Sequence, residues 1–340
     1  TMHADDEDGA NLADLWIDNR TTVWSKDEVS QLCNEIEQSW NFSSSLDSCE
    51  GRLIVQGAMF LTVDNEDKII NSLWHGISPN ANADRIWMPS GHSKGDLAIA
   101  DDEIVIDAHV VDVLDLSIGD EVTISASGAS MNFTIVGYGY HTNHIFMAPE
   151  GSMFPPKPGE YVLGYLSESG IARLTGNQIG DSNTVLLDVE GTPSFDYPDT
   201  KQYEGEEIDQ IKSLVDEALT ELEIDARVRD RGQNEQVEVM RQDLEASKRM
   251  TAPFTIMIAA IASITIILSL QRLVQSQARE IAVLRTLGVP RKSLLAGYLI
   301  APLFIGSIGC VIGSLIGPWG MNAMLDFYQS IVGVPIIDRE

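Results

Sequence analysis

The side chains able to do covalent chemistry are few in this chain, and their spacing supports little of it. Gly91-His92-Ser93-Lys94-Gly95 has the G-x-S-x-G pattern of a nucleophile elbow, in which a sharp turn between a strand and a helix exposes the serine. Pro89 stands before it and residues 96–102 carry no helical stripe, so the pentapeptide reads as a glycine-rich loop. His141 and His144 stand three apart, but no third ligand is in view, and residues 137–144 read as the end of a strand. The phosphate-binding pattern G-x4-G-K-[ST] is absent, so ATP hydrolysis by that route is not expected of this chain. Residues 5–8 lack calcium-loop spacing and read as a solvated acidic tail. No catalytic residue, metal or cofactor is expected. The three cysteines, Cys33, Cys49 and Cys310, are too few for a disulfide scaffold and lack zinc spacing. Cys33 and Cys49 either bridge or leave Cys33 as a buried thiol, and Cys310 reads as packing in an apolar run.

Charge and hydropathy set what must position these side chains. The 340 residues are 44% apolar and carry a formal charge of −29, a length that suits about two domains. Such a balance argues against nucleic acid, whose phosphates need Lys and Arg, and against adhesion of the bulk domain to an anionic membrane surface. The charge is unevenly divided. Residues 1–250 hold 16 Lys and Arg against 47 Asp and Glu, a net of −31, whereas residues 251–340 hold 6 against 4. Two different solvents are implied. Residues 252–270 form 19 consecutive uncharged positions, close to the roughly 20 that cross about 30 Å of hydrocarbon. Nine of them are Ile, Leu or Phe, which favours insertion by about 3–5 kcal/mol. Residues 293–319 are a second uncharged run, ending on Trp319 as an interfacial anchor. No signal peptide is visible at the N-terminus.

The link between the runs, 271–292, carries Arg272, Arg279, Arg285, Arg291 and Lys292 against Glu280 alone. Short basic connections stay in the cytoplasm, which places residues 1–250 and 320–340 outside. Lys248 and Arg249 on the outer flank oppose this with two charges against five. Gly309, Gly313 and Gly317, with Gly306 beside them, recur at the spacing that lets helix backbones approach closely in lipid. Pro302 is expected to kink this run or mark its first turns.

Ahead of the apolar runs the pattern is α+β. Strands are expected over 12–18, 51–62, 73–77, 103–106, 161–166 and 184–189, with a hairpin over 121–125 and 132–138. Ser25-Lys26-Asp27-Glu28 is a capping box opening a helix with Val29, Leu32, Cys33, Ile36 and Trp40 on one face. Further helices are expected over 107–114 and 208–222, then a strand with Ile224, Ala226 and Val228. Residues 234–250 carry only a narrow stripe, Val237, Met240 and Leu244, which suits a stalk. Asn19, Asn41 and Asn132 begin N-x-S/T triplets, relevant only where a cell glycosylates its exterior. The expected organisation is an extracytoplasmic α+β domain over 1–233 and a stalk helix over 234–251. Transmembrane helices follow over 252–270 and 293–319, joined by a cytoplasmic helix over 271–292, with an extracytoplasmic segment over 320–340.

The sequence Arg279-Glu280-Ile281-Ala282-Val283-Leu284-Arg285-Thr286-Leu287-Gly288, followed by Arg291-Lys292 and Leu294, resembles the signature of the FtsX-like permease family. These are membrane subunits of ABC transporters of the LolC, LolE and MacB type. Residues 103–107, 116–122 and 133–137 look like the extracytoplasmic core domain of MacB-type permeases. The resemblance implies a multi-pass plasma-membrane permease that is not itself an enzyme. It also implies a cytoplasmic ABC ATPase as partner and a second permease copy or half, with Arg279, Glu280, Ile281, Leu284, Arg285, Gly288 and Arg291 coupling to the ATPase. Residues 272–287 are expected to form one amphipathic helix, with Leu273, Val274, Ile281 and Leu284 on one face. Gly288 would serve as its C′ residue and Pro290 as the first turn of the next helix. Family members carry further spans, so the chain is read as a piece of a longer permease. The competing expectation is a membrane-anchored sensor, although 22 connecting residues hold no signalling module.

Overall fold

The computed structural model describes residues 9–19, 22–63, 66–89, 93–141, 143–144, 149, 152, 156–157, 159–190, 206–233 and 235–332. Its first compact unit, Thr1–Arg241 with Gln329–Glu340, is a mixed domain. It opens with β1 (Leu15–Asn19), α1 (Lys26–Gln38), β2 (Leu46–Val63), β3 (Glu66–Gly76), β4 (Ile86–Trp87) and β5 (Lys94–Gly95). There follow β6 (Glu103–Asp107), α2 (Ala108–Val111), β7 (Glu121–Ala126), β8 (Ala129–His141), β9 (Tyr161–Leu166) and α3 (Glu168–Thr175). The unit continues through β10 (Thr184–Val189), α4 (Glu206–Glu221) and β11 (Ala226–Asp230). The strands run in the order β11-β1-β10-β2-β3-β9-β6-β8-β4, with β7 bridging β2 and β8, and β5 pairing with β8. The β3–β9 and β6–β8 pairs are parallel.

The long strand β2 serves two cores. Its first part pairs with β10 and its second with β3. In the first core, α1 and α4 bury Leu32, Ile36, Ile211 and Val215 against Leu15, Ile17, Val185 and Leu187. The capping box forms as expected: Glu28 N–H donates to Ser25 Oγ at 3.4 Å and Ser25 N–H to Glu28 Oε2 at 2.7 Å. These bonds satisfy amides that a helix start leaves without partners. In the second core, Trp74 packs with Met59, Ile104, Ile106, Phe133 and Val162. An indole fits on a central strand only because its neighbours lack side chains. A Cβ at Gly57 would lie 2.3 Å from Trp74 Nε1, and one at Gly164 would lie 2.5 Å from the indole ring. The indole N–H donates to Ser125 O at 3.0 Å, so its one polar atom is satisfied.

Several elements depart from the sequence expectation. The expected helix over 107–114 is the four-residue α2, capped by Asp107 and followed by turns that end on Asp115 at φ 53°. α1 stops at Gln38, and Trp40 instead sets its ring edge-on to Phe42 and donates to Ser44 O at 2.7 Å. β3 begins seven residues earlier than expected because polar Glu66, Asp67 and Lys68 pair across the hairpin with β2. α3 was not foreseen. Its eight residues are too short for a periodic stripe, and its ends are fixed by Ser167 at the N-cap and Gly176 at φ 76°.

The second compact unit is Gln242–Tyr328. Most of it lies in two 42-residue helices, α5 (Glu235–Ser276) and α7 (Arg291–Val332), joined through the short α6 (Ala278–Thr286).

Candidate functional site in the long helices and their basic connection

Glu245–Ser276 and Arg291–Leu325 are apolar enough to cross a membrane, with mean hydropathies of 2.2 and 2.3 over their most apolar stretches. Their apolar side chains are exposed rather than packed in a protein core. The helices also satisfy their own polar groups. Thr255, Ser263, Thr265 and Ser307 each donate to the carbonyl four residues earlier, at 2.7–2.9 Å. In hydrocarbon no water offers an alternative partner, so this local bonding is what an intramembrane hydroxyl requires. Pro253 and Pro302 both lie inside continuous helix, so Pro302 does not mark the first turns of its run. Cβ atoms built on Gly306, Gly309, Gly313 and Gly317 would meet nothing within 4 Å, which leaves the small-residue seam open.

The connection differs from the single helix expected over 272–287. α5 runs on to Ser276, and the chain turns at Gln277 before α6 begins. Leu273 and Val274 therefore belong to the end of α5, while Ile281 and Leu284 belong to α6. The break has a fastening the sequence did not suggest: Tyr298 Oη, on α7, donates to Gln277 Oε1 at 2.7 Å. Twenty-one residues separate the two, so no periodicity could have paired them. Gly288 adopts φ +87°, the left-handed conformation expected of a C′ residue, and Pro290 O accepts from Ser293 N–H at 3.1 Å as α7 starts. On α6, Arg279, Glu280 and Arg285 are exposed, Ile281 is half-buried, and Leu287 is 75% exposed. No salt bridge joins Glu280 to Arg272, Arg279 or Arg285 among the described residues. Arg291 is exposed in the first turn of α7. The connection thus offers a charged and apolar surface that its own chain leaves uncovered.

The other singled-out residues lie in the first unit or away from the connection. Ser93 Oγ donates to Pro89 O at 2.8 Å, and β5 follows it directly, so the strand-turn-helix of an elbow does not form around it. Gly91, His92 and the tract 5–8 lie outside the described residues. Cys33 on α1 and Cys49 on β2 are joined as a disulfide with Cα atoms 5.8 Å apart, and Cys310 is free and exposed on α7. His141 and His144 gain a third imidazole from β3: His75 Nε2 lies 3.0 Å from His144 Nε2. His75 carries no local sequence signal, because it stands 69 positions from His144 and arrives through sheet pairing. Burial lowers the pKa of His75 and His141 well below the ordinary range and brings His144 down to about 4, with Asp107 and Asp84 opposing the last shift. Among the described residues no group of three or more His, Cys, Asp or Glu is arranged to hold a metal ion.

Two helices of span length joined by a short basic connection make this chain an integral membrane protein. Residues 253–338 match the family model described as FtsX-like permease C-terminal. The chain is 27% identical over 100 residues to the lipoprotein-releasing system transmembrane protein LolC of Neisseria meningitidis serogroup B (strain ATCC BAA-335 / MC58). That match spans 28% of this chain and only 24% of LolC. Among solved structures, it is similar to the periplasmic region of MacB from Actinobacillus actinomycetemcomitans, at 12% identity and a TM-score of 0.36, over 68% of this chain and 92% of that one. It is also similar to the extracellular domain of the noncanonic ABC-type transporter YknZ from Gram-positive bacteria, at 12% identity and a TM-score of 0.34, over 64% and 98% of the two chains.

Proposed function

We propose that this chain is the permease component, or a portion of one, of an ABC-type transporter. ATP is hydrolysed by a separate cytoplasmic ATPase that docks on residues 271–292. Closure of the ATPases moves the spans, and α5 carries that motion toward the extracytoplasmic domain. A second copy or second permease half covers the seam of Gly309, Gly313 and Gly317. The observation that supports this reading best is the exposed helix α6, with Glu280 between two arginines, set between span-length helices in the region that matches the FtsX-like family. A loop made basic only for topology gains nothing from an acid.

The test combines orientation and coupling. A cysteine introduced at Ser127, exposed in the β7–β8 turn, should react with an impermeant reagent in intact cells, and one at Ser276 should not. Glu280→Ala should weaken co-purification of the ATPase at least tenfold, since truncating one member of a buried interfacial charge pair loses about 2–5 kcal/mol. A solvated pair would lose less than about 1 kcal/mol. Gly288→Val has open space around its side chain but must adopt φ +87°. It should leave ATPase binding measurable while uncoupling hydrolysis from transport. Labelling at position 276 in intact cells, or two variants with wild-type binding and coupling, would overturn the reading.

A further inference from the structure

At one end of the sheet, four neighbouring strands present His75 on β3, Tyr165 on β9, Asp107 on β6 and His141 on β8. The pairings His75↔Tyr165 and Asp107↔Gly139 set this alignment, and the two-residue period of the strands puts all four side chains on one face. His144 completes the group beyond the end of β8. His75, His141, His144 and Asp107 are all buried. The His141 ring stacks on Tyr165 at 13° between planes and lies 4.8 Å from the His75 ring centre. Tyr165 donates to Asp107 Oδ2 at 2.8 Å, and the other oxygen of Asp107 lies 2.5 Å from His109 Nδ1.

Two hydrogen bonds in this group need bare imidazole nitrogens. The 3.0 Å contact between His75 Nε2 and His144 Nε2 holds one proton; a second would set two N–H groups against each other. His141 Nδ1 accepts from Asn143 N–H at 3.2 Å, so a proton there would break that bond too. Among the described residues, His75 Nδ1 and His141 Nε2 are buried without a hydrogen-bond partner, so neither offers an added charge a stabilising contact. The surrounding charges do not favour protonation uniformly. Arg52 on β2 opposes it at His75 and His141, and Arg229 on β11 opposes it at His144. Asp107 and Asp84 favour it at His144, while His109, Tyr140 and Tyr165 complete the titratable neighbours.

We propose that His75, His141 and His144 form an acid-released latch. With its acceptor nitrogens bare, the latch pins His144 to β3; protons taken up on acidification break both bonds and release His144 from His75. A domain with this device responds to the pH of the compartment it faces, independently of any ATPase.

The test uses the full chain in detergent, with ring-15N histidine and a chelator throughout, followed by NMR from pH 8 to about pH 3. Hydrogen exchange of the His144 amide, which donates to His141 O at 3.2 Å, is followed in the same samples. The three rings should stay neutral through pH 6, then gain protons together as the His144 amide loses protection. Each proton required for opening raises the opening constant by up to about tenfold per pH unit, so two give up to about a hundredfold. His144→Gln, which keeps a donor but cannot titrate in this range, should flatten that dependence. If that variant fails to fold, the wild-type ring titration decides alone. Any of the three rings titrating near 6.5 with amide protection unchanged would overturn the latch. So would micromolar zinc, added without chelator at pH 7, shifting all three rings to a metal-bound pattern.

Discussion

Ile104, Ile106 and Ile135 of the extracytoplasmic unit are wholly buried, whereas Ile264, Ile300 and Leu315 of the long helices are 57, 65 and 72% exposed. The same side-chain chemistry meets two solvents. In the first unit, apolar groups leave water by packing against one another beneath a surface whose acids outnumber its bases about threefold. In the second they face outward because the surrounding medium is hydrocarbon, and the hydroxyls turn back on their own helix for lack of water. Glycine divides the same way. The space beside Gly164 is filled by Trp74, while a Cβ at Gly313 would meet nothing within 4 Å. A buried core and a membrane span are thus distinguished less by how apolar they are than by where their polar atoms and small residues find partners.

Paired substitutions break or sharpen this contrast. Ile104→Ala should destabilise the first unit by about 2–5 kcal/mol, the range for a truncated core isoleucine, as read by chemical denaturation in detergent. Ile264→Ala should leave that transition unmoved and weaken insertion by only about 0.5 kcal/mol. Equal effects would mean that the helices form an ordinary core. Removing the disulfide with Cys33→Ala and Cys49→Ala opens a cross-link of sequence separation 16 and should lower the first unit's stability by about 3 kcal/mol. Membrane integration should be unchanged, and a matching loss on reduction of the wild type would confirm the cause. Gly164→Ala should cost about 1–3 kcal/mol through overpacking against Trp74. Gly313→Leu should cost the isolated chain nothing yet reduce assembly, measured by cross-linking in membranes.

How far these features were legible in the sequence follows from the range of the forces involved. The spans, the basic connection and the αL glycine at 288 depend on near neighbours, and they could be read directly. So could the Ser25–Glu28 capping box and the strands Tyr161–Leu166 and Thr184–Val189, which read as short, largely apolar runs and are buried throughout. What escaped depends on contacts distant along the chain. α3 docks Ile171 and Leu174 into the second core, an apolar pair too short to stand out as a stripe. The turn at Gln277 is fastened by Tyr298, and His75 reaches His141 and His144 through strand order. The connecting segment shows both limits: its residue types were readable, but its division into the end of α5 and a separate α6 was not.

A pH-dependent effect tests the acidic unit where one of its carboxyls is buried. Asp188, on β10, accepts from Asn11 Nδ2 at 2.8 Å. Arg231 lies 3.1 Å from Asp14 and also donates to Ala13 O, so the guanidinium that acts on Asp188 is engaged with another carboxylate. Burial raises the pKa of Asp188 to about 7; the charges of Asp14 and Asp47 add to the rise, while Asn11 and Arg231 oppose it. A carboxyl that holds its proton more tightly when folded contributes stability in full below its unfolded value near 3.8 and loses it as pH rises to about 7. The buried histidines carry the opposite sign, contributing above 6.5 and losing that contribution as pH falls. Comparing Asp188→Asn with the wild type cancels the histidines, which both proteins share. Between pH 5 and pH 8 the wild type should lose about 1–2 kcal/mol relative to the variant, with chemical denaturation at the two pH values as the measurement. A constant difference between the proteins would mean that Asp188 is ionised throughout, and that the acidic unit tolerates a buried charge beside Asp14 as readily as it does the many at its surface.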